Sequence, residues 1–267
     1  MPRLRQSVLD FFEMESPLGT EFRRLMQRVT AAGAERELKS IMLTSAMTSE
    51  GKSTVTAFLA ITAARHKGLR TILVDSDLRR PTIHKMFCME RDRGMVDILT
   101  NGTPLKDCIK KTSADKLDII TSGREHGDVA NIFDAEAIAK VVDELKFYYD
   151  LILIDSAPVL PVSDPMLLSG KVDGMILVVK AGVTQREVVV RATDILSANR
   201  HKMLGIVLNN MNSILPFYYN YDYYGYEYQT KDAAGKMGKS KVADTLSQDT
   251  QKIKISAESG RPKNLPK

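Results

Sequence analysis

Ten residues, Ser45-Ala46-Met47-Thr48-Ser49-Glu50-Gly51-Lys52-Ser53-Thr54, separate the apolar run SIMLT (40–44) from the helix-compatible stretch VTAFLAITAARHKG. A loop that cradles phosphate needs consecutive backbone N–H groups turned inward and a glycine where a side chain would collide. It also needs a lysine for the β and γ oxygens and a hydroxyl for Mg2+. Gly51, Lys52 and Ser53 meet the last three requirements, with Ser49, Glu50 and Thr54 beside them as further nucleotide-binding positions. Ala46 stands where such loops usually carry their first glycine, so the strand before and the helix after support the assignment. ATP and Mg2+ are the expected ligands.

Carboxylates follow two further apolar runs. ILVDSDLRRP (72–81) supplies Asp75 and Asp77, and LILIDSAP (151–158) supplies Asp155. Acids at the ends of buried strands are costly without a cation, and an ion beside ATP phosphates removes that cost. Mg2+ keeps several waters and takes one or two carboxylates directly. Ser53 is therefore assigned to the metal's inner shell, with Asp77 and Asp155 acting mainly through water. Asp75 leads as the group that orients or deprotonates an acceptor hydroxyl, and Asp77 and Lys52 complete the expected catalytic set. The division of roles between Asp75 and Asp77 stays open at this point.

The acceptor is suggested by FYYNYDYYGYEY (217–228), which holds seven of the nine tyrosines of the chain: Tyr218, Tyr219, Tyr221, Tyr223, Tyr224, Tyr226 and Tyr228. Asn220, Asp222, Gly225 and Glu227 interrupt them with polar and flexible residues, which argues against a buried strand. A phenol with a pKa of about 10 must be aligned and must lose its proton as phosphoryl transfer proceeds. An ATP site and a dense row of phenols in one chain imply self-phosphorylation.

These residues need a scaffold, and the sequence describes one. SIMLT, RTILVD (70–75), LDIIT (117–121), LILIDS (151–156), GMILVV (174–179) and GIVLN (205–209) are short apolar runs, mostly separated by helix-compatible stretches. That alternation predicts βαβ units, hence an α/β fold with a mostly parallel sheet flanked by helices. Ligands in such sheets sit at the carboxyl ends of the strands, where the acids lie. Phe22, Leu25, Met26 and Val29 share a face at helical spacing before the first strand. The expected organisation is a helical extension over 1–36, a P-loop domain over 37–215, the tyrosine cluster over 216–228 and a basic, disordered tail over 229–267.

Composition narrows the function classes. The net charge is +5, and residues 229–267 account for it with eight Lys and one Arg against four acids. The body is neutral, and no nucleic-acid partner is expected. Cys88 and Cys108 show neither ligand spacing nor a disulfide framework, and the four histidines are scattered. No apolar run suits a signal peptide or a membrane span. A GxSxG elbow and the HRD and DFG kinase signatures are absent.

The loop TSAMTSEGKST, the acidic motif ILVDSDLRRP, RGMVDILTNG, LILIDSAPVL, KVDGMILVVKAGVTQREV, LGIVLNN and the tyrosine cluster together resemble the bacterial tyrosine autokinases of the CpsD/CapB type, over positions 16–228. The resemblance implies a P-loop NTPase of the ParA/MinD-like type and a role in capsule and exopolysaccharide assembly. It implies that Lys52 binds phosphates, Ser53 holds Mg2+, and Asp75, Asp77 and Asp155 form the acidic constellation. It further implies a separate membrane-spanning activator of the polysaccharide co-polymerase type, self-association, and a cytoplasmic protein held through that activator at the inner face of the plasma membrane. The chain departs from the family at three places. Thr20 and Met26 stand where the family's self-association motif Glu-x-x-Arg-x-x-Arg has its Glu and second Arg, Arg23 keeps the first Arg, and Glu21, Arg24 and Arg28 lie close by. REHGDVANIFDAE (124–136) replaces a Pro-Asn-Pro segment, and Met47-Thr48-Ser49 replaces a proline-containing loop start.

Two other functions use the same features. A ParA/MinD-like switch ATPase would hydrolyse ATP to control association, but such proteins usually carry an additional lysine early in the loop, and positions 45–50 contain none. A scaffold would use the tyrosines as a contact surface and ATP only for stability.

Overall fold

The structure, a computed structural model, describes residues 7–34, 37–124, 132 and 134–210. The expected tyrosine cluster with its seven candidate acceptors, the basic tail, and residues 211–215 of the expected P-loop domain lie outside the described residues.

Strands β1 (Ser40–Ser45), β2 (Thr71–Asp75), β3 (Lys110–Lys111), β4 (Leu117–Ile120), β5 (Leu151–Asp155), β6 (Gly174–Lys180) and β7 (Met203–Asn209) form one sheet. Their order is β3-β4-β2-β5-β1-β6-β7. All pairings are parallel except that of β3 with β4. The two-residue β3 carries no apolar signal, and no sequence pattern announces it.

Strand residues alternate between two cores, as the period of two requires. Ile41, Leu43, Leu73, Leu151, Leu153 and Ile176 face one side. Met42, Ile72, Val74, Ile152, Ile154 and Leu177 face the other. Both faces are covered, which is why the strands read as continuous apolar runs rather than alternating ones.

On the first face, with the short α4 (Ile83–Met86), lies α3 (Lys52–Lys67), whose buried residues run from Val55 through Ala64 without interruption. Such a helix has no solvent face because a second layer covers it. That layer is α1 (Val8–Phe11) with α2 (Pro17–Gly33). Phe12 stacks on Phe58 of α3 with ring centroids 4.4 Å apart and planes at 13°. Phe22 meets both rings edge-on, at 5.7 Å from Phe12 and 5.2 Å from Phe58. The α2 helix starts where Ser16 accepts the Gly19 N–H at 3.0 Å and Pro17 occupies the first turn. Gly19 is required there, since a Cβ would collide with the carbonyl oxygens of Glu13 and Met14.

The face of α2 read from spacing is the buried one: Phe22, Met26 and Val29 enter the core and Leu25 packs against it. Two of the positions aligned with the family's self-association motif are thereby committed within the chain. Met26 is in the core, and Arg23 donates to the Met14 carbonyl at 2.8 Å, to Glu15 at 2.8 Å and to Thr20 at 3.0 Å.

On the second face lie α5 (Met95–Asn101), α6 (Leu105–Cys108), α7 (Ala135–Tyr148), α8 (Asp164–Ser169) and α9 (Arg186–Ile195). No helix among the described residues is long and apolar enough to cross a membrane.

The aromatic layer predicts that residues 7–34 unfold with the sheet. Phe12→Ala should destabilise the protein by about 3 kcal/mol in urea denaturation. Phe147→Ala, at a site that is 83% exposed, should change stability by under about 0.5 kcal/mol. A Phe12 variant that melts like the parent would show that the N-terminal helices are a dispensable extension.

Candidate active site

Three neighbouring strands bring the chemistry together. β5 lies between β2 and β1, so Asp75 and Asp155 end adjacent parallel strands and are direct register partners. The loop after β1 begins beside them, where Leu43 pairs with Asp155. Hydrogen bonds across the strand ends hold the register: Ser76 N–H donates to the Asp155 carbonyl at 2.8 Å, and Val159 N–H to the Ser45 carbonyl at 2.8 Å.

The loop turns into α3 through two left-handed residues, Ser49 (φ 63) and Gly51 (φ 89). Gly51 is needed twice over, because its φ disfavours a side chain and because a Cβ would collide with Asn209 Nδ2. That amide donates to the Glu50 carbonyl at 2.9 Å, tying the loop to the end of β7. The free N–H groups at the start of α3 then form an anion-binding end of the helix.

Lys52 is 9% exposed. Its ammonium lies 2.8 Å from Asp77 Oδ2, 3.7 Å from Asp155 Oδ1 and 3.3 Å from the Ser53 hydroxyl. Asp77 also accepts the Arg80 N–H at 3.0 Å. Asp75 accepts the Ile83 N–H at 3.2 Å through Oδ2. Asp75 Oδ1 and both Asp155 oxygens are buried with no hydrogen-bond partner among the described residues.

Electrostatics follow from this crowding. Burial pushes the Asp75 carboxyl well above the usual carboxylate range, and the charges of Asp155 and Asp77 push it further. Burial likewise lifts Asp155, to about 6, against the opposing Lys52 charge. For Lys52, burial disfavours the ammonium, but Asp155 and then Asp77 outweigh it and the pKa rises.

Buried, unpartnered carboxylate oxygens are the observation that tests the fit of a cation, and they fit one. Among the described residues no three His, Cys, Asp or Glu side chains form a closed metal cage. That suits Mg2+, which takes few protein ligands and completes its shell with water and phosphate. The structure thus brings Lys52, Ser53, Asp75, Asp77 and Asp155 together, with Ser49 and Thr54 exposed at the loop's rim.

The Glu50 side chain is committed within the loop. Its carboxylate is 3% exposed and is turned into the loop, where it accepts the Met47 N–H at 2.7 Å and the Thr184 hydroxyl. A carboxylate facing the phosphates would repel them, and this one braces the loop instead. Thr184 and Asn209 went unnoticed in the sequence because they stand far along the chain from the loop that they support. The pair Arg79–Asp164 at 3.1 Å, which joins the segment after Asp77 to the start of α8, went unnoticed for the same reason.

The chain and its fold have known counterparts. A family model described as an AAA domain matches residues 39–196. Tyrosine-protein kinase YwqD of Bacillus subtilis (strain 168) is 31% identical over 230 residues, which cover 86% of this chain and 94% of that protein. The crystal structure of the chimerical protein CapA2B2 superposes with a TM-score of 0.70 at 30% identity, covering 75% of this chain and 88% of that one. The septum site-determining protein MinD of Pyrococcus horikoshii, complexed with Mg-ADP, shares the fold at a TM-score of 0.57 and 24% identity, over 64% of this chain and 70% of that one.

The raised carboxyls set a pH dependence. They bind protons more tightly folded than unfolded, so without Mg2+ their contribution is most favourable below the unfolded pKa near 4. It is lost as pH rises through about 6 and beyond. Asp75→Asn keeps the shape without the charge. In chelator at about pH 8 it should raise the melting temperature by roughly 2–4 °C, the equivalent of about 1 kcal/mol, and the gain should vanish at about pH 4. Equal melting of parent and variant across that range would show that Lys52 already neutralises the site.

Proposed function

The chain belongs to the bacterial tyrosine-protein kinases, and we propose that it transfers the γ-phosphoryl of ATP to the tyrosines of its own cluster at 218–228, chiefly between protomers. One observation carries the reading: three carboxylates from β2 and β5 converge on the lysine of a phosphate-binding loop, in a chain that also bears seven clustered phenols.

In this reading the loop N–H groups and the N-terminus of α3 receive the phosphates, and Lys52 exchanges its carboxylate partners for phosphate oxygens. Ser53, Asp77 and Asp155 would hold Mg2+, which neutralises charge on the transferred group. Asp77 uses one oxygen on the Arg80 N–H and the other on Lys52, whereas Asp75 keeps one oxygen without a partner. Asp75 is therefore the acceptor of the phenolic proton. As the bond from the γ-phosphorus to the ADP oxygen breaks, a bond to the phenol oxygen forms and the phenol's proton passes to Asp75. Asp75 is fully buried, with the Ile83 N–H on its other oxygen, so this reading requires a local opening to admit the phenol.

The reading includes a separate membrane-spanning activator that completes the nucleotide site, attachment to the cytoplasmic face of the membrane through it, and control of capsule or exopolysaccharide assembly. Self-association would use a surface other than Arg23 and Met26, which are engaged within the chain.

The test is to incubate full-length protein with an activator fragment, ATP and Mg2+, and to map phosphotyrosine by mass spectrometry. Label should fall on residues 218–228, and Lys52→Met should reduce it by on the order of 10²-fold or more. Rapid phosphate release with no tyrosine labelling would make the chain a switch ATPase instead.

A further inference from the structure

The strand and helix nearest the last edge leave the sheet unfinished on one side. β1, β2, β4 and β5 are buried at every residue and β6 at all but Lys180, whereas β7 has no buried residue. β7 bonds to β6 alone. Its sequence, MLGIVLN, has neither charge nor proline, the usual devices that keep an open edge from pairing. Ile206 and Leu208 stand in register with Leu177 and Val179 and so point to the second face, yet they are 49% and 57% exposed. On that same face α9 buries only Ala192. Val188, Val189 and Ile195 pack partly against the core, and Val190 is exposed.

The charges of α9 point to what fits beside it. Arg186 opens the helix and Asp194 lies in its last turn, and both are exposed. Each is set against the helix dipole, which favours anions at the N-terminus and cations at the C-terminus. Glu187 offsets Arg186 within the first turn, but the last turn has no basic residue to offset Asp194. Neither Arg186 nor Asp194 has an ion-pair partner among the described residues. Beside an antiparallel copy of α9 both placements become favourable, because Arg186 then meets the C-terminal end of the copy and Asp194 its N-terminal end. The two residues stand four positions either side of Val190, on one helical face. A twofold axis at Val190 therefore sets each Arg186 against the partner's Asp194.

We propose that β7 and α9 form a docking surface for a second copy of this chain. β7 pairs antiparallel with its copy, and α9 packs on its copy, about an axis normal to the sheet beside Val190 and Ile206. The dimensions agree: paired strands lie about 4.8 Å apart. Helices that each cover two strands on either side of the axis then stand roughly 10 Å apart, an ordinary separation for packed helices. Such an axis keeps both helices on one face and covers Ile206, Leu208 and Val190 with their own copies, as a self-complementary patch requires. Since the paired strands run in opposite directions, the two active sites fall at opposite ends of the joined sheet. Pairing is thus a contact separate from phosphoryl transfer, and the proposal does not depend on the kinase reading.

The test is sedimentation of the unphosphorylated full chain over a range of concentrations, with hydrogen exchange measured on the same samples. The parent should form a dimer that dissociates on dilution, and β7 amides should exchange more slowly in the dimer. Arg186→Asp and Asp194→Arg should each weaken the dimer by about tenfold, because like charges then face each other twice. Mixing the two variants in equal amounts, or placing both changes in one chain, should restore pairing. Ile206→Lys should abolish the dimer while the circular dichroism of the chain stays that of the parent. A parent that remains monomeric, or a dimer that ignores the charge reversals or is not restored by mixing, overturns the proposal. A monomer whose β7 amides are already protected overturns it as well, and assigns the cover of this edge to the chain's own residues beyond 210.

Discussion

The ammonium of Lys52 sits among three carboxylates in a volume nearly closed to water. Each acid would be costly alone, and together they repel one another; one buried cation does not balance three anions. Much of the surrounding structure serves to hold this imbalance in place. The register of β2 on β5 sets Asp75 against Asp155, the left-handed turn at Gly51 delivers Lys52 to them, and the Arg80 and Ile83 N–H groups each relieve one carboxylate oxygen. The remaining deficit is one that a divalent cation and a nucleotide would fill. The site is thus less stable without its ligands than it would be with neutral side chains, and the layered core around α3 supplies the compensation.

The sheet, the loop and the acids were legible in the sequence because each rests on short-range pattern: apolar runs bounded by turn residues, a glycine before a lysine and a hydroxyl, acids at the ends of runs. The amphipathic face of α2 was legible from spacing alone. What escaped were features that depend on separation in sequence. The role of Glu50 could not be read because Thr184, its partner, stands on the loop after β6. Asn209 supports the loop from the last strand. The short antiparallel β3 has two lysines and no apolar signal, and exists because β4 offers it an edge. Neither local propensity nor periodicity carries such information.

Of the places where the chain departs from the family's sequence pattern, one lies on α2 and one in the phosphate loop itself. Met26 takes a core position, and Arg23 closes the turn between α1 and α2. The thioether that stands in place of the motif's second Arg fills space beneath the helix, and the guanidinium of Arg23, which keeps the motif's first Arg, satisfies a carbonyl and a carboxylate.

The placement of β5 bears on how the chain is made. It fills the slot between β1 and β2, yet it follows β2 by the whole stretch from Asp75 to Leu151. At roughly 5–20 residues per second, a ribosome takes on the order of ten seconds to cross that gap. During that time β1 and β2 have emerged but their common partner has not, and Lys52 has only part of its acidic surroundings. Such non-local pairing folds slowly. An interrupted polypeptide lacking β5 would therefore hold the phosphate loop and the acidic motif without the strand that brings them together, so a fragment released early from synthesis would carry the signature residues but no assembled site.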